Sequence, residues 1–385
     1  MKITDYKVHI AGNPWKNWVF LELNTDKGIT GIGEGSLNGF AKTVQTAIGE
    51  LDRFFLGKDP RDIDAITEGM LYGVFSDGGQ IHRNAVSAVE AACYDIIGKE
   101  ERKPLYEFFG KKVKNSIKLY ANGWYRHERN PELFRKSVQN VLKYGYKALK
   151  IDPFGSAKGD ISKYEEEKSY EILKAIRDAV PSDFDIFIEG HCRFNYDTAL
   201  RLSKGLEKFN VFWFEEPVSH MDIKGLQKLS KESAVKIATG ENITNPYHFK
   251  VLLEDASPNL IIQPDILNIG SFKFAKEICD FAKERGIAVA PHDAQGCVLK
   301  ALCVNLAACS ENVFIQEDFE EFNAEWTKKI YRPRYKKKNG EIIIEARPGI
   351  GIELDFGIIG KYPYDENNVI LLYDEGWEVR SGQKR

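Results

Sequence analysis

The pattern of hydrophobic and polar positions changes near residue 117. Before that point, apolar runs bounded by turn residues predict strands at Trp18–Asn24 and Ile29–Gly35, joined as a hairpin by the turn between them. Apolar positions at helical spacing then predict three helices, at about 41–56, 61–72 and 83–98. This part of the chain predicts an α+β domain, which we assign to residues 1–112.

Beyond residue 117, short apolar runs alternate with amphipathic stretches, a pattern typical of repeated β-α units and a parallel sheet. Eight runs are predicted as strands: Ile117–Ala121, Lys147–Ile151, Asp185–Glu189, Val211–Glu215, Lys236–Gly240, Asn259–Gln263, Ile287–Pro291 and Asn312–Gln316. Helical patterns follow the first seven of them. The pattern indicates an α/β fold, a TIM-type (β/α)8 barrel over residues 113–325, with its last helix modified or replaced.

The remaining residues, 326–385, are predicted to return to the first domain. They contain a strand pattern at Glu341–Glu345. The basic run before it, Tyr331–Gly340, is interpreted as a solvated hairpin tip, with a phosphate-binding patch as the alternative.

Composition and charge narrow the possible partners. With 385 residues, 43% of them apolar, the chain can bury large cores. A formal charge of −3 and a pI near 6.2 provide no long-range attraction to nucleic acid or anionic membranes. No segment reaches the roughly 20 apolar residues of a membrane span, and Met1–Tyr6 alternate like a strand without the apolar core of a signal peptide. We therefore expect a cytoplasmic protein without nucleic-acid or membrane partners.

The six cysteines have neither the density of a disulfide scaffold nor the paired spacing of a zinc site. Most are expected to be small core residues. Cys192, between His191 and Arg193, is expected to pack rather than to react.

Three glutamates, Glu189, Glu215 and Glu241, end three successive predicted strands and lie 26 residues apart in each case. In a barrel of this type the chemistry lies at the C-terminal ends of the strands. Three carboxylates facing one point repel each other unless a hard cation neutralises them, and oxygen ligands favour Mg²⁺. Separate surface ion pairs are the alternative, which the matched strand ends disfavour. Glu216 faces the other side of its strand and is a weaker candidate.

Two histidines are candidates for proton transfer. His292 follows the seventh strand, and Asp265 follows the sixth. A carboxylate bonded to one ring nitrogen fixes the tautomer and raises the basicity of the other, which makes a general base; a structural core histidine is the alternative. His191 lies two residues beyond Glu189 and is expected to project into the same cavity, so that one histidine supplies the base and the other the acid.

Two charged residues complete this set of strand ends. Lys150, at the end of the second strand, could meet a substrate carboxylate, or could be a simple salt-bridge partner. Glu317 closes the eighth strand and is expected near a developing enediolate.

These motifs, in this order, resemble the mandelate racemase branch of the enolase superfamily, and most of all its sugar-acid dehydratases of the galactonate and gluconate type. The resemblance covers nearly the whole chain and rests on these segments: Trp18–Leu23, Gly31–Gly35, Ala88–Lys99, Glu189–Phe194, Phe214–Pro217, Gly240–Asn242, Gln263–Asp265 and Pro291–His292. It implies that residues 1–112 and the C-terminal segment form a capping domain over the barrel. It also implies a homo-oligomer, an octamer in many relatives.

The resemblance assigns roles to the candidate residues. One Mg²⁺ per subunit is expected on Glu189, Glu215 and Glu241. His292 with Asp265 is expected to be the base, and His191 the acid that helps a hydroxyl to leave.

Two positions depart from the family pattern. The first metal ligand, Glu189, is a glutamate where many relatives have aspartate, which changes its reach but not its charge. Relatives with two opposed bases carry Lys-x-Lys on the second strand, whereas this chain has Lys150-Ile151-Asp152. The second basic position is an acid, which disfavours a racemase.

The expected function is a magnesium-dependent hydro-lyase acting on an aldonate: galactonate, gluconate, or a pentonate such as arabinonate. Removal of the α-proton and the 3-hydroxyl gives a 2-keto-3-deoxy acid, and Mg²⁺ and Lys150 stabilise the enediolate. The residues expected to contact the substrate are Lys150, Asp152, His191, Glu317 and, from the capping loops Asn13–Trp18 and Leu37–Phe40, Trp15. Trp18 is expected to contact substrate or to pack inside its strand. A racemase or epimerase of a hydroxy acid, and a non-catalytic sugar-acid binding protein, are the alternatives.

Overall fold

The computed structural model describes residues 1–379. Its N-terminal part is a three-stranded antiparallel sheet of Ile3–Asn13, Lys16–Thr25 and Thr30–Glu34. The predicted hairpin is confirmed, because the second and third strands pair antiparallel. Three helices follow, at Ala41–Glu50, Ile63–Tyr72 and Gly79–Glu101. The first is shorter than predicted, and a 3-10 turn at Asp52–Phe54 follows it.

The helix Gly79–Glu101 packs directly on the third strand of this sheet. A Cβ atom at Gly33 would lie 1.9 Å from the carbonyl oxygen of Ala88. Glycine at this position therefore allows the backbone of the strand to touch the backbone of the helix.

The (β/α)8 fold is confirmed. The eight parallel strands are Ser116–Ala121, Ala148–Ile151, Asp185–Glu189, Val211–Glu215, Lys236–Thr239, Leu260–Ile262, Ala288–Val289 and Ile315–Asp318. The first seven pair in chain order, and the eighth pairs with the first. A parallel bridge between Val289 and Val313 spans the remaining gap, between the seventh and eighth strands.

The eighth strand begins three residues later than predicted. The side-chain amide of Asn312 donates to the carbonyl oxygens of Cys279 and Ile287, at 2.9 and 3.2 Å, which holds Asn312 in the turn before the strand. Glu317 consequently lies inside the strand rather than after it. As predicted, the last helix is replaced, by 3-10 helices at Glu320–Phe322 and Glu325–Lys329.

The barrel helices are Pro131–Lys143, Lys163–Arg177, Tyr196–Leu206, Ile223–Glu232, Pro246–Glu254, Phe272–Lys283 and Cys297–Cys309, with a short turn of helix at Ile266–Ile269. The first six start at polar residues whose side chains accept a hydrogen bond from a backbone N–H of the first turn: Asn130, Ser162, Asn195, Asp222, Asn245 and Ser271. Such caps satisfy backbone donors that the helix itself leaves free.

Aromatic side chains fill the interior of the barrel. Phe187 and Trp213 stack with ring centroids 3.5 Å apart, and Tyr120 meets both rings edge-on. This apolar plug is fully buried. The polar side chains of the candidate site therefore lie at the strand ends above these rings.

Buried carboxylates join the N-terminal part to the barrel. Glu90 accepts hydrogen bonds from the hydroxyl of Ser271 and the backbone N–H of Phe272, where a barrel helix begins. Burial raises the pKa of Glu90 to about 7. The packing of the two parts depends on this carboxyl group.

The C-terminal segment contacts both parts. Glu341–Ile343 forms a hairpin with Lys337–Lys338 and also pairs antiparallel with the first barrel strand. Lys337 is paired with acidic side chains, including Asp318 at 2.7 Å, which favours the hairpin interpretation of the basic run. Farther along, the backbone N–H and carbonyl of Asp365 bond to the side chain of Asn17. Among residues 1–379, no helix has the length and apolar character needed to cross a membrane.

Candidate active site

The three evenly spaced glutamates converge at the mouth of the barrel. Glu189 and Glu215 are register partners on neighbouring strands. One carboxylate oxygen from each of Glu189, Glu215 and Glu241 lies within 4.8 Å of the others. Glu189 and Glu215 are buried, and Glu241 is half-buried at the cavity.

Lys150 lies at the centre of this acidic group. Its Nζ atom is 3.1 Å from Glu189, 3.0 Å from Glu317, and also bonded to Glu215. Burial disfavours the ammonium charge, but the surrounding carboxylates raise the pKa of Lys150 well above its ordinary value. Lys150 is therefore permanently charged, and the surrounding carboxylates form ion pairs with it.

Lys150 contacts three of the four carboxylates, and the fourth, Glu241, faces His292. Burial, together with the charge of Glu189, raises the pKa of Glu215 well above its ordinary value. Burial also opposes ionisation of Glu189, but the charges of His191 and Lys150 lower its pKa overall. A donor set made of carboxylate oxygens is what a hard divalent cation prefers. Glu189, Glu215 and Glu241 therefore fit a divalent metal ion.

His292 and Asp265 form a buried pair at the ends of the seventh and sixth strands. Nδ1 of His292 lies 2.7 Å from Oδ2 of Asp265. The other oxygen of Asp265 accepts the backbone N–H groups of Leu267 and Asn268, so the carboxylate cannot rotate away. Burial lowers the pKa of His292, but the charges of Glu241 and Asp265 outweigh it and raise the pKa to about 10. The Nε2 atom of the ring faces Glu241 at 3.2 Å.

His191 is held by a second carboxylate. Its Nδ1 atom lies 2.6 Å from Oδ2 of Asp152, and its backbone N–H donates to Glu189 at 2.8 Å. Asp152 also pairs with the buried guanidinium of Arg193 and accepts the backbone N–H of Phe154. Both oxygens of Asp152 are thus engaged by protein groups. The residue also lines the cavity, so its contact with substrate stays a prediction.

Glu317 is completely buried and bonded on both oxygens. One oxygen accepts from the side-chain amide of Asn122 at 2.7 Å, and the other from the backbone N–H of Asp293 at 3.1 Å. Burial opposes its ionisation, but Lys150 and His292 lower its pKa overall. Glu317 is therefore a fixed negative charge on the floor of the cavity.

A cavity of about 470 Å³ opens above these residues. It is lined from three directions, by the predicted N-terminal loops, the barrel strand ends and the C-terminal segment. Trp15 lines it and packs edge-on against Phe319, with ring centroids 5.1 Å apart. Trp18 instead packs against Phe20 and Trp326, in agreement with the packing role predicted as the alternative to substrate contact.

The C-terminal wall of the cavity was not anticipated from the sequence. The hydroxyl of Tyr373 donates to the carbonyl oxygen of His191 at 2.8 Å, and Nε1 of Trp377 donates to that of Gly155 at 3.1 Å. The ring of Trp377 stands perpendicular to that of His191, with centroids 5.8 Å apart. The aromatic residues Tyr373 and Trp377 in the tail were the available signal.

The structure is a capped (β/α)8 barrel. Three successive strand ends carry carboxylates, and the next two carry an aspartate–histidine pair. This combination defines an enzyme of the enolase superfamily type. Residues 6–110 match the mandelate racemase/muconate lactonizing enzyme N-terminal domain, and residues 133–358 match the enolase C-terminal domain-like family. The chain belongs to the mandelate racemase/muconate lactonizing enzyme family of that superfamily.

Named relatives are similar over nearly the full chain. A D-gluconate dehydratase of Thermoproteus tenax is 30% identical over 368 residues, which cover 95% of this chain and 74% of the relative. A D-gluconate/D-galactonate dehydratase of Picrophilus torridus is 27% identical, over 97% of this chain and 95% of the relative. The crystal structure of a mandelate racemase/muconate lactonizing enzyme from Sulfitobacter sp. matches with a TM-score of 0.89 and 26% identity, over 97% and 98% of the two chains.

Proposed function

We propose that this protein is a magnesium-dependent sugar-acid dehydratase that converts an aldonate into a 2-keto-3-deoxy acid. The observation that carries the proposal is that two histidines, each oriented by its own carboxylate, line one cavity with Glu189 and Glu241, two of the three glutamates assigned to the metal. The names of the dehydratase relatives support the same reaction. Galactonate, gluconate and a pentonate such as arabinonate are the candidate substrates.

The cation is assigned to Glu189, Glu215 and Glu241, one ion per subunit, and Mg²⁺ is the ion that an all-oxygen site favours. When bound, it supplies positive charge that stabilises an enediolate. Lys150 contributes a second, permanent positive charge at the same point.

His292 is assigned as the base that removes the α-proton. Asp265 holds Nδ1 of the ring, so that Nε2, which faces Glu241 at 3.2 Å, is the nitrogen assigned to proton transfer. A base of this kind typically contributes 10²–10⁴-fold to the rate. The rest of the rate acceleration has to come from electrostatic stabilisation by fixed charges. Lys150 provides one such charge at the site.

His191 is assigned as the acid. Asp152 holds its Nδ1 atom, which leaves Nε2 as the nitrogen that can protonate the leaving 3-hydroxyl. The carbon–oxygen bond then breaks, water leaves, and the resulting enol becomes the ketone of the product. Asp152 acts through His191 as a positioning residue, and its place on the second strand is the one that carries a lysine in relatives with two bases.

The remaining assignments concern binding and assembly. Trp15 and the buried Glu317 are proposed to contact the substrate, with residues 1–112 and the segment from 326 onward forming the cap over barrel residues 113–325. A cytoplasmic homo-oligomer, an octamer, is proposed from the family resemblance alone. Size-exclusion chromatography with light scattering tests the assembly.

The function is tested by incubating the purified protein and Mg²⁺ with a panel of aldonic and aldaric acids in D₂O. We expect a 2-keto-3-deoxy product from at least one aldonate. Exchange of the α-proton without loss of water would instead identify a racemase or epimerase. Ligand-induced stabilisation with neither exchange nor product would identify a binding protein, and both outcomes would overturn the dehydratase assignment.

A further inference from the structure

A second group of metal-ligating side chains lies at the same mouth of the barrel. Sγ of Cys192 is 2.5 Å from Oε2 of Glu216 and 4.0 Å from Nδ1 of His220. One ligand atom from each of these three residues lies within 4.8 Å of the other two. The group offers one sulfur, one nitrogen and one oxygen, and it shares no residue with the glutamate cluster.

Hydrogen bonds from the neighbouring strand ends hold Cys192 and Glu216 in place through atoms other than the proposed ligand atoms. Oε1 of Glu216 accepts from the hydroxyl of Thr239 and, at 2.9 Å, from the backbone N–H of Gly240, so that Oε2 remains directed at Cys192. The backbone N–H of Cys192 donates to the carbonyl oxygen of Glu216 at 2.7 Å. Two neighbouring strand ends are thereby locked together with their ligand atoms facing each other.

The group is accessible from the cavity. Cys192 and His220 are both half-buried and line it, whereas the other five cysteines are buried. The side-chain amide of Asn242 approaches the sulfur at 3.9 Å.

We propose that Cys192, Glu216 and His220 form a second cation site, selective for thiophilic divalent ions of the zinc class. Three protein ligands of mixed sulfur, nitrogen and oxygen type with an open fourth position match the preference of Zn²⁺, whereas the all-oxygen glutamate cluster suits a hard cation. Binding releases the thiol proton of Cys192 to solvent as the sulfur becomes a thiolate ligand.

Filling this site is expected to inhibit turnover, a consequence that rests on the proposed function. Cys192 directly follows His191, and Glu216 directly follows Glu215. A cation bound between Sγ of Cys192 and Oε2 of Glu216 has to separate these two atoms, which are 2.5 Å apart, and it therefore shifts the backbone that carries the proposed acid and one proposed metal ligand.

The site itself can be tested without any activity measurement. The full chain, freed of metal and supplied with excess Mg²⁺ to occupy the oxygen ligands, is titrated with Co²⁺. Cobalt bound to a thiolate gives a near-ultraviolet charge-transfer band, which carboxylate-bound cobalt does not give. We expect this band to saturate at one equivalent per chain and to disappear when Zn²⁺ is added.

Matched variants identify the ligands. Cys192→Ser should abolish the band, and Cys279→Ala, at a cysteine buried in a barrel helix, should retain it. His220→Ala should weaken Co²⁺ binding by at least about tenfold, as loss of even an outer-shell partner typically does. Circular dichroism establishes that each variant is folded.

Three results would overturn the proposal: no charge-transfer band in the wild-type chain, a band that survives in Cys192→Ser, or unchanged affinity in His220→Ala. If a dehydratase activity is found, Zn²⁺ should inhibit the wild type at lower concentrations than it inhibits His220→Ala. Equal inhibition of both would overturn the inhibitory role alone. Absence of any dehydratase activity would count against the proposed function and leave the optical test intact.

Discussion

Asp152 and His191 are joined by a 2.6 Å contact between Oδ2 and Nδ1, on the second and third strand ends of the barrel. By the family resemblance, relatives with two bases carry a lysine at this place. Here it is a carboxylate turned toward a histidine and an arginine. This position therefore carries no base and instead orients His191, the proposed acid.

The contact predicts a selective defect in Asp152→Asn. The amide keeps the shape of the carboxylate but loses its charge, so His191 is oriented and charged less effectively. We expect kcat for dehydration to fall about 10- to 100-fold and KM to change little. Exchange of the α-proton in D₂O should persist, and an equal loss of exchange would contradict the role assigned to Asp152.

His292→Asn should remove the base. Because Nε2 of His292 is the proposed proton acceptor, both α-proton exchange and product formation should fall by about 10²–10⁴-fold or more. His191→Asn is the matched comparison, since it should slow dehydration while leaving exchange measurable. Exchange that persists in His292→Asn would show that another residue is the base.

Glu215→Gln should weaken binding of Mg²⁺, because it removes one of the three carboxylates that face each other. Glu216→Gln is the control, since that side chain faces Thr239 and Cys192 instead. Isothermal titration of the metal-free chain measures both affinities, and a chelator should abolish activity in the wild type. Full affinity in Glu215→Gln would exclude it as a ligand.

Trp377→Ala should impair substrate binding. The ring covers His191 from the C-terminal side of the cavity, so its removal opens that wall to water. We expect KM to rise by about tenfold, the loss of roughly 1.4 kcal/mol of binding free energy, with a smaller change in kcat. Trp326→Phe is the control, because Trp326 stacks on Tyr362 outside the cavity. An unchanged KM in Trp377→Ala would remove the C-terminal wall from the binding site.

Glu90→Gln should change how stability depends on pH. The folded-state pKa of Glu90 is about 7, above the ordinary value of 4.5. The protonated carboxyl therefore stabilises the fold fully below about pH 4.5, and this contribution, about 3 kcal/mol, is lost as the pH rises to about 7. Urea unfolding at pH 5 and pH 8 should show a decrease in the wild type, to which other buried acids such as Glu34 also contribute, and a smaller decrease in Glu90→Gln.

The control for Glu90 is Glu366→Gln, at an exposed position. It should leave the pH dependence of stability unchanged. An equal pH dependence of stability in the wild type and in Glu90→Gln would contradict a raised pKa at Glu90.

Strand periodicity predicted all eight barrel strands, since apolar runs between amphipathic helices can be buried in few other ways. The eighth strand was placed three residues early because the bonds of Asn312 to Cys279 and Ile287 come from distant parts of the chain. The equal spacing of Glu189, Glu215 and Glu241 indicated their proximity because parallel strands end at the same edge.

The sequence by itself determined the barrel, the strand-end carboxylates and the two histidines, since each depends on local period and on strand order. Only the tertiary structure decided where Asp152 points, that Trp377 covers His191, and that Cys192 meets Glu216 and His220. These contacts depend on the C-terminal segment that returns to the barrel and on the conformations of the loops. Among the loop residues, His191, Cys192 and Glu216 have left-handed backbone. No local pattern encodes them, because the packing of distant segments sets the direction of each side chain.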